Sequence, residues 1–230
     1  MIRVKDFPQD AILRLQGHGL PLGARPWPRY PLGMAAPRSV PQHDPDKTAA
    51  PPVAKGVERV VGFDPGLNVT GYGVVECHGA TVRLVEAGTV KSRGETLEER
   101  LFTIHAGVRE VIDACKPTAM AIEQVFSHAK FPKTAILLGH ARGVICLAGV
   151  QAGLAVHHYL PNRVKSTLCG SGHAGKEQMQ AAVQRELSLA TRPEPADAAD
   201  ALGVALADYH LRLRPLFFGT GVVRIRSSRA

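Results

Sequence analysis

Residues 60–75 read VVGFDPGLNVTGYGVV, and this stretch decides the fold. Val60, Val61 and Phe63 are residue types that fit a buried strand. Pro65 and Gly66 cannot continue it and favour a tight turn. From Val69 to Val75 the β-type residues resume, with Gly71 and Gly73 leaving one face bare. Bare glycines in a strand mark a place where something approaches closely. Asp64 stands where the first strand ends, so it either caps the turn or, beside an open glycine surface, helps to hold a metal ion.

At 230 residues the chain is long enough for one good core with residues left over. No apolar run reads as a membrane span, and Arg3 and Lys5 are not followed by the apolar block of a secretory signal. Cys77, Cys115, Cys146 and Cys169 are too scattered for zinc and read as reduced thiols of a cytoplasmic protein. His157 and His158 point to opposite faces of a strand and do not ligate together. The formal charge is +8, but residues 1–55 carry eight Lys/Arg against four Asp/Glu, and five Arg follow Asp208 with no acid. Residues 56–211 are therefore about neutral. A DNA-binding core would need a local basic patch and cations to offset its acids.

Three regions follow. Residues 1–55 hold ten of the seventeen prolines and are expected to be a disordered Pro-rich extension. An over-extended reading frame, with the true start at Met34 or at Val57, and a functional basic arm are the other readings. Residues 56–212 are the domain, and 213–230 are expected to be a basic flexible tail. Within the domain, strands are expected at 59–64, 70–78 and 82–90 as an antiparallel meander. Thr96 and Glu99 form a capping box. Leu97, Leu101, Ile104, Val108, Val111 and Cys115 line one face of the helix that follows. Residues 119–126 are a fourth strand, parallel to the first by a right-handed crossover. Pro132 opens a helix in which Gly139 and Gly143 permit a close contact, in the core or at a dimer interface. Residues 155–160 are a fifth strand. The glycine-rich loop 170–175 leads into Lys176 at a helix start. It is not a Walker loop, because the lysine lacks the glycine spacing and the following Ser or Thr. It is compatible with a DNA backbone.

Four acids stand out. Asp64 and Glu123 fall at the same end of neighbouring parallel strands, where open α/β sheets place ligands. Asp197 and Asp200 lie three apart on one helix face. Four converging carboxylates raise one another's pKa unless a cation sits between them. Oxygen-only ligands favour Mg²⁺, with Mn²⁺ able to substitute. Two such ions about 3.5–4 Å apart can activate water for phosphodiester cleavage. The products would carry a 5′-phosphate and a 3′-hydroxyl.

The blocks GFDPGLNVTGYGVV, AIEQVF, LGHARGV, RVKSTLCGSGHAGKEQM and PADAADALGVAL, in this order, closely resemble the bacterial RuvC family of Holliday-junction resolvases. The resemblance implies an α/β, ribonuclease-H-like fold with a mixed five-stranded sheet flanked by helices. It implies a homodimer that nicks a four-way junction symmetrically, a metal centre of Asp64, Glu123, Asp197 and Asp200, and two Mg²⁺ per subunit. It casts Phe126 as the aromatic that stacks on an unpaired base at the crossover. Lys165 and Lys176 become the basic residues at the scissile and flanking phosphates. It also implies partnership with RuvA and RuvB. Phe131 and Pro132 depart from the pattern beside Phe126.

Three other functions compete with this reading. An ATPase of the actin and sugar-kinase type needs a longer chain and a second phosphate loop. A non-catalytic junction binder predicts a missing acid, and all four are present. A nuclease acting on other branched DNA is least distinguished by sequence.

Overall fold

The computed structural model describes residues 56–125 and 132–214. The extension at 1–55, Phe126, Phe131 and most of the expected tail lie outside these residues. Five strands form one sheet in the order β3-β2-β1-β4-β5. They are β1 (Glu58–Asp64), β2 (Val69–His78), β3 (Thr81–Lys91), β4 (Ala119–Glu123) and β5 (Ala155–Tyr159). The first three are antiparallel, and β4 and β5 run parallel to β1. The helices are α1 (Leu97–Cys115), α2 (Pro132–Gln151), α3 (Pro161–Cys169), α4 (Lys176–Glu186) and α5 (Ala196–Asp208), with a π-helical turn at Tyr209–Leu213. This is the expected mixed sheet.

Alternation along the strands divides the core in two. Val61, Phe63, Met120 and Ile122 pack with Ile104, Val108 and Ile145 of α1 and α2. Val60 and Ala121 face the opposite side and pack with α3, α4 and α5. Asp64 and Glu123 have the same parity as Val60 and Ala121, so they project toward α5. Phe63 pairs with Ile122, which sets the two acids side by side one residue further on.

The bare face is filled by α5. A Cβ at Gly62 would run into the Ala201 carbonyl and the Ala205 backbone nitrogen. One at Gly73 would meet Leu202 Cγ at 2.6 Å, and one at Gly71 would strike the backbone of Asp197. Gly62 and Gly73 are paired across β1 and β2, so they form a single flat seat. What approaches the glycines is a helix backbone, and that helix carries two of the acids.

Thr96 caps α1 as expected, accepting from the Glu99 N–H, while Glu99 Oε2 accepts from the Thr96 N–H. Arg59 is buried to 1% exposure and unannounced by the sequence pattern. It donates to Glu76 at 2.6 Å and to the Cys115 carbonyl at 2.7 Å, which ties the start of β1 to the end of α1.

Several expectations change. β4 ends at Glu123, not at 126. β1 stops at Asp64 and turns away at Pro65, so nothing remains on that side to pair with. Leu213, assigned to the tail, is 2% exposed and packs into the core. The segment at 163–169 belongs to a defined helix, α3, opened by Pro161. Contrary to the hydropathy reading, α2 is long and apolar enough to cross a membrane. Its Ala141, Ile145 and Ala148 side is nevertheless buried against the sheet. A Cβ at Gly139 or Gly143 would meet nothing within 4 Å among the described residues, so both stand on the exposed side of the helix.

Candidate active site

Asp64 sits at the C-terminal end of β1 and Glu123 at that of β4, because both strands end where their pairing ends. Asp200 comes from the first half of α5, whose N-terminal turn rests on Gly71. Asp64, Glu123 and Asp200 line one cavity of about 180 Å³ with Lys165, Lys176, Pro161, Val164 and Met179. Lys165 arrives on α3 and Lys176 is the first residue of α4. Five of the residues expected from sequence are thus brought together. Asp197 does not line this cavity, although its charge acts on both Asp64 and Asp200.

The cavity is hostile to its own carboxylates. Burial, then the charges of Asp200 and Asp197, push Asp64 from 3.8 up to about 7, against the pull of Lys176. Burial, then Asp64 and Asp200, push Glu123 from 4.5 up to about 8, against Lys165. Asp200 is raised chiefly by burial and by Asp197, with Lys176 and Lys165 opposing. Among the described residues none makes an ion pair with these acids, and no three acidic, His or Cys side chains are closed to the spacing of a ligand shell. Like charges oppose that closure, and a divalent cation favours it. An oxygen-only, half-buried, mutually repelling donor set fits a hard cation such as Mg²⁺.

One supporting residue was missed by sequence reading. Arg142 of α2 donates from Nε to the Glu123 carbonyl at 3.1 Å, and its Nη2 lies 2.8 Å from His158 Nδ1. It bridges the ends of β4 and β5 and fixes the backbone on which Glu123 is carried. Only its place within LGHARGV hinted at a role, since an arginine on a helix ordinarily reads as solvated surface.

An antiparallel meander extended by two parallel strands, with helices packed on both faces, is the ribonuclease-H-like fold. The sequence profile described as crossover junction endodeoxyribonuclease RuvC matches residues 60–208. The crossover junction endodeoxyribonuclease RuvC of Rhodopirellula baltica is 51% identical over 158 residues, covering 68% of this chain and 89% of that protein. T. thermophilus RuvC, solved in complex with a Holliday junction substrate, is 37% identical, with a TM-score of 0.62 over 66% of this chain and 93% of that one. The yeast mitochondrial Holliday junction resolvase shares the fold at 10% identity, with a TM-score of 0.51 over 70% of this chain and 83% of that one. The chain belongs to the crossover junction endodeoxyribonuclease RuvC family. It is an endonuclease, a hydrolase of DNA phosphodiester bonds, in a family of metal-dependent nucleases.

Proposed function

We propose that this protein resolves Holliday junctions during recombination and repair by nicking two strands of like polarity. The observation that carries the reading is the convergence of Asp64, Glu123 and Asp200 with Lys165 and Lys176 on one cavity at the ends of β1 and β4. Asp64, Glu123, Asp197 and Asp200 hold two Mg²⁺ per subunit, and Mn²⁺ can substitute. Bound there, the ions supply Lewis acidity for attack of water on phosphorus and for departure of the 3′ oxygen. The carboxylates set the position of the scissile phosphate, and no side chain need act as the nucleophile. Lys165 and Lys176 offset phosphate charge at the cut and beside it. Phe126 stacks on an unpaired base near the crossover.

The working form is a homodimer, because a near two-fold junction presents two equivalent strands and one nick does not resolve it. The outer face of α2 supports this. Ile136 (60% exposed), Leu147 (50%) and Val150 (63%) stand out from it, beside the open Gly139 and Gly143. The chain works in the cytoplasm with the branch-migration proteins RuvA and RuvB, and its four free cysteines suit that compartment. Residues 1–55 and the residues beyond 214 flank the nuclease domain as extensions, the domain including Leu213.

The test is cleavage of a synthetic mobile four-way junction beside a linear duplex and a three-way flap, in Mg²⁺, in Mn²⁺ and in chelator. Paired nicks on the junction alone, lost in chelator, are expected. Equal cutting of flap and junction would refute the resolvase reading.

A further inference from the structure

The acid cavity has a larger neighbour, an open groove of about 750 Å³. Its walls include Gln124, Asn162, Arg163, Ser166, Gly172 and His173, and no acidic side chain is among the described residues that line it. The chain passes from one space to the other three times. Glu123 lines the cavity and Gln124 the groove. Lys165 on α3 lines the cavity, while Asn162, Arg163 and Ser166 of the same helix line the groove. Lys176 lines the cavity, while Gly172 and His173 of the loop before it line the groove. The loop is seated on α3, since a Cβ at Gly172 would lie 3.2 Å from the Asn162 carbonyl. The glycines of this loop therefore shape a wall.

We infer that this groove is the subsite for the nucleotides of the scissile strand next to the cut, with Arg163 binding phosphate and Asn162 and Gln124 contacting the base edge. The inference rests on the nuclease reading. A strand whose phosphate lies among the acids must leave the cavity, and these shared walls open into a trough rich in donors. Among the described residues no hydrogen bond or ion pair engages the side chains of Asn162, Arg163 or Gln124. Arg142 and His158, by contrast, are engaged with each other. An unengaged guanidinium suits a phosphate, and carboxamides carry the paired donor and acceptor that tell one base edge from another. The groove thereby selects which junction positions are cut, as well as adding affinity.

The experiment uses the full chain and junctions randomised at three nucleotides on each side of the crossover, with cleavage products sequenced. Junction binding is followed in chelator across a salt series. Arg163→Gln should weaken binding about tenfold for all sequences and lower the salt slope by about one, with Arg163→Lys restoring much of it. Asn162→Ala should relax base preference at one flanking position by about tenfold. Unchanged melting temperatures would exclude misfolding as the cause. Preference maps and salt slopes identical to wild type in both variants would overturn the groove assignment. A wild type that binds junctions but never cuts them would remove the nuclease reading, and the Arg163→Gln salt slope would still decide whether the groove holds the strand.

Discussion

Asp64 and Gly71 face each other across β1 and β2, and the pair condenses the logic of the site. Gly71 has no side chain because the Asp197 backbone occupies that space. Gly71→Ala should displace the first turn of α5, lowering metal affinity and cleavage at least tenfold while the far sheet stays folded. Isothermal titration with Mn²⁺, alongside circular dichroism, checks it. Asp64 carries a cost in the metal-free protein. Its folded pKa of about 7 exceeds the ordinary 3.8, so between these values the folded state holds more protons than the unfolded one. Stability should therefore fall as pH rises from about 4 to about 7, and Glu123 should extend the fall to about 8. Asp64→Asn removes one such penalty. In chelator at pH 8 it should melt roughly 3–8 °C above wild type, yet lose cleavage by about a thousandfold while still binding junctions. A lower melting temperature would contradict this assignment of the burial cost.

At the scale of elements, α5 explains why the acids meet. The helix lies on a seat of glycines, and Asp200 reaches the cavity while Asp197 stays at its margin. Sequence reading found the bare strand face and the two helical acids separately. It could not show that one was the seat of the other, because the contact spans more than 120 residues and depends on backbone meeting backbone. The end of β4 was overread for a related reason. Ile122, Val125 and Phe126 are strand-type residues that lengthened the expected run, but pairing with β1 stops where β1 turns at Pro65. Asp64 and Glu123 were legible because each ends an apolar strand run, and Lys176 was hinted at by the glycine-rich loop before it. Lys165, by contrast, read as solvated surface and gained a role only through the family resemblance. Arg142 was not legible, since its bond to the Glu123 carbonyl depends on packing of α2 against β4. Arg142→Ala should free the Glu123 backbone and lower kcat about tenfold or more, with little change in junction Kd. Arg142→Lys should rescue only partly, because one ammonium cannot bridge both strand ends. Equal losses in kcat and binding would show a general structural defect instead.

For the whole molecule, the division of labour follows the two faces of the sheet. One face carries α3, α4 and α5 with the acid cavity, and the other carries α1 and α2 with an apolar surface turned outward. On the proposed homodimer, Leu147→Glu with Val150→Glu should leave a monomer in light scattering where the wild type is a dimer. Single nicks should persist while paired resolution falls at least tenfold. Divalent cation and proton compete for the same carboxylates, so the rising limb of the pH–rate profile should move to lower pH as Mg²⁺ is increased. A profile indifferent to Mg²⁺ concentration would place the titrating groups elsewhere. The most direct measurement is anomalous diffraction from crystals of the wild-type protein soaked in Mn²⁺. Peaks are expected within bonding distance of Asp64, Glu123, Asp197 and Asp200, at the ends of β1 and β4. Strong Mn²⁺ peaks elsewhere, with none at these carboxylates, would contradict it.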